Sequence, residues 1–138
     1  MLKTNLRQGK RYRFPTHIND MLIPRERSES LEAFLVIIQP GRATHSHAHA
    51  DTEQLYFVLS GHGRAVLAFP GGRTEEAELL PDGLLLVPRG VTHQIFCTGG
   101  AELRYLCVDA FPAGKPAAEP TWDDHYRAVT GKGTPPAE

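Results

Sequence analysis

Several features that often announce a function are scarce in this chain. Only two cysteines, Cys97 and Cys107, occur among 138 residues, and they form no Cys-x-x-Cys pair. That argues against a zinc knuckle or a thioredoxin-type redox motif. The N-terminus carries charges but no apolar signal core, so the thiols are expected to be free and the protein cytoplasmic. No apolar run approaches the roughly 18 residues that a membrane span requires. The net charge of −1 offers no electrostatic case for binding nucleic acid or a membrane surface. The basic start (Lys3, Arg7, Lys10, Arg11, Arg13) has no accompanying aromatic array and reads as a solvated arm. Helical periodicity is almost missing, and there are no internal repeats.

What remains is the composition of an ordinary folded domain, 41% hydrophobic and 22% charged. Residues 1–30 are expected to form an N-terminal arm with short extended pieces near Tyr12–Phe14 and Met21–Ile23. Such an arm could cross a sheet edge or reach a second subunit. From Leu31 onward, short strands recur between Gly/Pro turns. They are predicted at Leu31–Gln39, Thr44–His49, Gln54–Leu59, Arg64–Phe69, Glu75–Leu80, Leu84–Val87, Thr92–Cys97 and Leu103–Phe111. Pro70-Gly71-Gly72 marks a tight hairpin. About eight such strands without helices between them predict an all-β fold, an antiparallel sandwich or barrel of the jelly-roll kind spanning 31–111. Residues 112–138 shift to Pro, Ala and Gly. Within them Thr121-Trp-Asp-Asp resembles a capping box that opens a short helix near 122–129, with Trp122 and Tyr126 docking it on the barrel. From Gly131 the tail is expected to be disordered.

The chemistry concentrates between Gly41 and Gly61. Three of the seven histidines, His45, His47 and His49, alternate there. In an extended segment alternate side chains share a face, and neutral imidazoles on one face suit a metal ion. A third ligand follows in Glu53 or Gln54, and His93 stands later, after Pro88-Arg89-Gly90. Strand alternation lets only one of Glu53 and Gln54 point inward.

These residues resemble the two motifs of the cupin superfamily, small single-domain type. Gly41, five residues, His47-Ala48-His49, four residues, Gln54, six residues and Gly61 match the spacing of the first motif. Pro88-Arg89-Gly90-Val91-Thr92-His93 matches the second. The resemblance implies a double-stranded β-helix, or jelly-roll barrel, and a metal site of His47, His49, Gln54 and His93. Three departures stand out. Register counted back from Gly61 puts neutral Gln54 where the family has a Glu, so charge compensation falls to a bound anion or hydroxide. Asp82-Gly83 inverts a turn glycine, and Cys97 replaces an Asn that supports the pocket.

The resemblance and the donor set together imply one divalent transition metal, Fe, Mn, Ni, Cu or Zn, with open coordination positions. His45 is expected at the barrel mouth, and His17, His62 and His125 at the surface. Tyr56 and Val58 share the face of Gln54. If the 98–102 turn centres on Gly100, His93 lies opposite Cys107 and Ile95 opposite Tyr105, which sets Tyr105, Cys107 and Cys97 on the metal face. A one-residue slip would reverse this. The pocket is expected to be mostly apolar and to suit a small aromatic or carbonyl compound rather than a phosphate or a sugar nucleotide. The leading expectation is a dioxygenase-like enzyme or an isomerase or lyase, with Tyr56, Tyr105 or His45 handling protons. The alternative is a non-catalytic metal- or small-molecule-binding, sensing protein. Leu55, Phe57 and Leu59, with the apolar strand at 31–38, suggest a homodimer interface.

Overall fold

The computed structural model describes residues 2–131. Its elements are β1 (Lys10–Arg13), β2 (Ile18–Ile23), a single 3₁₀ turn (Arg25–Arg27), β3 (Leu31–Ile38), β4 (Glu53–Ser60), β5 (Gly63–Ala68), β6 (Thr74–Leu79), β7 (Leu84–Val87), β8 (Thr92–Cys97), β9 (Leu103–Ala110) and α1 (Trp122–Thr130). The strands build two antiparallel sheets, one of six strands in the order β1-β2-β3-β9-β4-β7 and one of three in the order β6-β5-β8. This is the expected all-β jelly-roll barrel with a short C-terminal helix. No helix among the described residues is long and apolar enough to cross a membrane.

The β-branched and apolar runs form strands because a pleated sheet covered on both faces accepts them. β3 shows this most fully, with every residue after Leu31 buried. In β4 and β9 alternate residues turn inward, so Tyr56, Val58, Leu103 and Tyr105 meet Ala65 and Ile95 of the smaller sheet in the core. Gly61 permits the tight step out of β4. Its φ is +84°, and an added Cβ would lie 2.3 Å from the Glu102 carbonyl oxygen.

Residues 1–30 contribute the hairpin β1–β2, which extends the large sheet beyond β3 through pairs such as Asn19 with Val36. The capping box at the start of α1 forms as the sequence suggests: Thr121 Oγ1 accepts from the Asp124 N–H, and Asp124 accepts from the Thr121 N–H. Gly131 closes the helix in the left-handed conformation at φ 69°. The remainder of the expected disordered tail, 132–138, lies outside the described residues. Trp122 and Tyr126 dock α1 against Tyr12, and the Tyr126 hydroxyl donates to the Arg13 carbonyl.

Two expectations fail. Thr44–His49 is not a strand. Its backbone bonds to Ile95 at Thr44 and to His93 at His47, three residues along one side against two on the other. The extra residue breaks regular pairing and reduces the segment to isolated bridges. Nor do β8 and β9 form a hairpin. β8 pairs with β5 while β9 pairs with β3 and β4, so the Gly99-Gly100 connection crosses from one sheet to the other and His93 does not face Cys107 in register.

Beneath the large sheet lies a charged cluster that the sequence analysis did not single out. Arg25, 3% exposed, forks onto both oxygens of Glu32, which is fully buried, at 2.7 and 3.1 Å. Glu32 is the cross-strand partner of Asp109. Burial and a hydrogen bond with Asp109 push the Glu32 carboxyl up to about 9, against the pull of Arg25. The Arg25 guanidinium thus holds Glu32 from one side while Asp109 crowds it from the neighbouring strand. Removing one partner of a buried pair leaves an uncompensated charge, so Arg25→Ala is expected to cost about 3–5 kcal/mol. Arg64→Ala, which breaks an exposed pair with Glu76, is expected to cost under about 1 kcal/mol. Urea unfolding of both variants beside the wild type checks this.

Candidate metal centre

His47 and His49 come from the irregular segment before β4, and His93 from β8. One ligand atom from each lies within 4.8 Å of the others. The link between the segments is a reciprocal pair of backbone bonds: His47 N–H donates to the His93 carbonyl at 3.0 Å, and His93 N–H returns to the His47 carbonyl at 2.8 Å. The rings follow, with centroids 4.4 Å apart for His47–His93 and 4.8 Å for His47–His49.

The side-chain bonds fix which nitrogens are available. His47 Nδ1 lies 2.6 Å from the His45 carbonyl oxygen, and His93 Nδ1 lies 3.0 Å from that of Val91. A carbonyl only accepts, so each Nδ1 carries the hydrogen and each Nε2 keeps its lone pair. His93 Nε2 is buried and has no hydrogen-bond partner among the described residues. Burial, chiefly, holds His93 down to about 4 and His49 down to about 3. His47 and His93 also disfavour the charged form of His49, as do His125 and Arg25. Convergent imidazoles, with His49 and His93 held in the neutral form and one nitrogen orphaned, are a donor set that suits a divalent transition metal.

Burial distinguishes the two candidates for the further ligand. Glu53 is exposed on the outer face of β4, whereas Gln54 is 5% exposed and lines the cavity. Its amide is oriented by its neighbours: Nε2 donates to Asp109 Oδ1 at 2.8 Å, and the Tyr56 hydroxyl donates to Oε1, also at 2.8 Å. The Cys107 thiol donates to the same Asp109 oxygen at 3.5 Å. Tyr56, Tyr105 and Cys107 line the cavity, and burial first, then neighbouring charges, raises all three well above their usual ranges. They remain protonated at neutral pH.

The cavity measures about 480 Å³, and Phe14, Phe34, Tyr56, Tyr105, Phe111 and Trp122 form part of its wall. His45 is exposed at its mouth. The extra residue in 44–49 cancels the alternation that would have aligned His45 with His47. Cys97, expected on the metal face, does not line the cavity; its thiol donates to the Ala101 carbonyl and braces the 98–102 turn. His62 is exposed as expected, but His17 and His125 are not mere surface residues. His17 stacks on Phe14, His125 meets the Trp122 ring at a 42° tilt, and both line the cavity. Asp109, Arg25 and Glu32 went unnoticed in the sequence. The available signal was an acid at the inward parity of an otherwise apolar strand, Asp109 after Leu103, Tyr105 and Cys107.

Comparison with known proteins follows the same lines. A family model described as "Cupin domain" matches residues 34–109. A glucose-6-phosphate isomerase of Thermococcus gammatolerans is 29% identical over 97 residues, covering 64% of this chain and 51% of that protein. The chain thus spans about half the length of that curated relative. The oxalate decarboxylase of Lactobacillus farciminis, solved as a formate complex, superposes with a TM-score of 0.71 at 19% identity, over 80% of this chain and 33% of that one. The protein TT1209 of Thermus thermophilus superposes with a TM-score of 0.63 at 25% identity, over 80% of this chain and 98% of that one.

The geometry separates ligands from neighbours. His93→Ala is expected to abolish retention of a divalent transition metal, whereas Glu53→Gln leaves the metal content unchanged. Elemental mass spectrometry on tag-free protein checks both, and loss of metal in Glu53→Gln would contradict the assignment.

Proposed function

The chain belongs to the cupin domain family, and on that footing we propose that it is a metal-dependent enzyme acting on a small carbonyl or aromatic compound. The observation that carries this reading is the convergence of three imidazoles, two of them lining the cavity, with His93 Nε2 left unpartnered. His47, His49 and His93 would hold an ion of Fe, Mn, Ni, Cu or Zn, with the Gln54 amide oxygen as fourth donor. Such an ion supplies Lewis acidity toward a carbonyl oxygen or, if redox-active, a site for dioxygen chemistry.

The chain's own residues have separable tasks. Tyr56 and Asp109 hold the Gln54 amide with its oxygen turned from Asp109, because a carboxylate can only accept from the N–H₂ end. Tyr105, protonated and without a hydrogen-bond partner among the described residues, offers a free O–H inside the cavity. It is the proposed donor to a developing oxyanion. Burial likewise keeps the proton on Tyr56, and His45 stands exposed at the mouth. A redox ion favours the dioxygenase-like reaction, and a non-redox ion the isomerase or lyase reaction. The isomerase name of the Thermococcus relative supports the second, and the oxalate decarboxylase likeness supports the fold that hosts both.

One observation favours a non-catalytic, sensing role. Gln54 brings no charge, and both ends of its amide are already engaged, so the protein offsets none of the ion's charge at that position. Turnover separates the two readings. Protein reloaded with each ion is expected to convert a member of a carbonyl and catechol-like panel, and Tyr105→Phe is expected to lower kcat by about 10²-fold with metal content unchanged. No turnover with any ion would leave the binding role standing.

We also propose that the protein is a homodimer in the cytoplasm. Leu55, Leu84 and Leu86 are 41%, 68% and 53% exposed, and Leu55 pairs with Leu86 across β4 and the edge strand β7. An edge strand with an apolar outer face is a surface that a second copy can cover. Light scattering after size exclusion is expected to give twice the monomer mass, and Leu84→Glu/Leu86→Glu the monomer. A wild-type monomer at micromolar concentration would refute the proposal.

A further inference from the structure

Besides His93 Nε2, three buried side-chain atoms have no hydrogen-bond partner among the described residues: Asn19 Oδ1, Thr52 Oγ1 and Trp122 Nε1. Their residues are 5%, 7% and 2% exposed, and all three line the cavity of the metal centre. An unpaired buried donor or acceptor is costly, so three in one cavity point to a partner there.

A chain of neighbouring side chains links the three. Asn19 is the cross-strand partner of Tyr12, and Trp122 meets the Tyr12 ring edge-on at 6.0 Å. The Arg25 guanidinium lies 5.4 Å from both the Trp122 and the Phe111 rings. Thr52, one residue before the Glu53–Ala110 pair, sits level with Phe111.

Their chemistry is specific. An indole N–H only donates, an amide oxygen only accepts, and a hydroxyl does either. The complement is a group that accepts from Trp122 and donates to Asn19 or Thr52, which describes a hydroxyl. A hydrocarbon ring would leave all three atoms unsatisfied. A phosphate finds no free cation among them: no lysine lines the cavity among the described residues, and its one arginine, Arg25, is committed to Glu32 and to the Glu119 carbonyl.

We propose that the pocket takes a small, unphosphorylated hydroxy-carbonyl or hydroxy-acid compound, whose oxygen-donor end faces the three histidines and whose distal hydroxyl is read by Trp122, Asn19 and Thr52. The proposal rests on the metal-enzyme reading for the histidine end only. Asn19 and Trp122 lie outside the residues 34–109 that match the family model, so this recognition belongs to the chain rather than to the barrel.

Two probes test it, 2-oxobutanoate and 4-hydroxy-2-oxobutanoate, which share the 2-oxo acid end and differ in the distal hydroxyl. Calorimetric titration of zinc-loaded protein is expected to show about ten-fold or tighter binding of the hydroxylated probe. Trp122→Phe, Asn19→Leu and the near-isosteric Thr52→Val are each expected to narrow that gap while leaving zinc content and 2-oxobutanoate affinity unchanged. The fluorescence of Trp122, the sole tryptophan, is a second readout in the wild type. Equal affinities, binding of neither probe, or a gap untouched in all three variants would overturn the proposal. So would a crystal structure of the probe complex in which the three atoms hold ordered water only. If the protein discriminates between the probes by fluorescence yet takes up no metal, the metal-enzyme reading fails and this one stands.

Discussion

Two backbone hydrogen bonds, exchanged between His47 and His93, hold the candidate centre together. They bridge residues far apart in the chain and tie the irregular segment before β4 to β8 of the smaller sheet. Regular alternation could not have done this, because an extra residue separates the contact at Thr44 from the one at His47. That irregularity sends His45 to the mouth and leaves His47 and His49 facing His93. The Nδ1 bonds to backbone carbonyls then settle the tautomers of His47 and His93, so the same peptide groups that fix the chain path also aim the lone pairs.

Charge is distributed around this centre in an uncommon way. The groups gathered at the candidate centre are three imidazoles and an amide. The acids sit one step back, in Asp109 and Glu32, with Arg25 paired to Glu32. Gln54 is the contact between the two sets, donating its N–H to Asp109 while its oxygen accepts from the Tyr56 hydroxyl. A glutamate there would oppose Asp109 across 2.8 Å, and like charges at that distance are costly. The neutral residue and the buried acid therefore explain each other.

The cavity is not made by the barrel alone. Asn19 from β2 and Trp122 from α1 complete its wall, and the contacts of Tyr12 with Trp122 and Tyr126 bind those two terminal segments to each other. The barrel brings the three histidines together, and the likeness to the oxalate decarboxylase is one of fold. The added hairpin and helix provide the polar atoms that meet whatever enters.

Much of this was legible in the sequence because it depends on local chemistry. Strand positions followed from β-branched runs between Gly/Pro turns, the C-terminal helix from its capping box, and His47, His49 and His93 from spacing tied to two glycine-bounded motifs. The parity of β4 favoured Gln54 over Glu53, since a period of two leaves no third option. What the sequence could not determine was which strands are neighbours. The β8–β9 connection looks like a hairpin locally, yet it crosses between sheets, because pairing depends on which buried faces fill the space between the layers. For the same reason Arg25, Glu32 and Asp109, scattered along the chain, could not be read as one cluster, and His125 and Trp122 could not be placed at the cavity. Only tertiary packing brings such groups together, since the free energy that pairs them exists only once water has been excluded from between them.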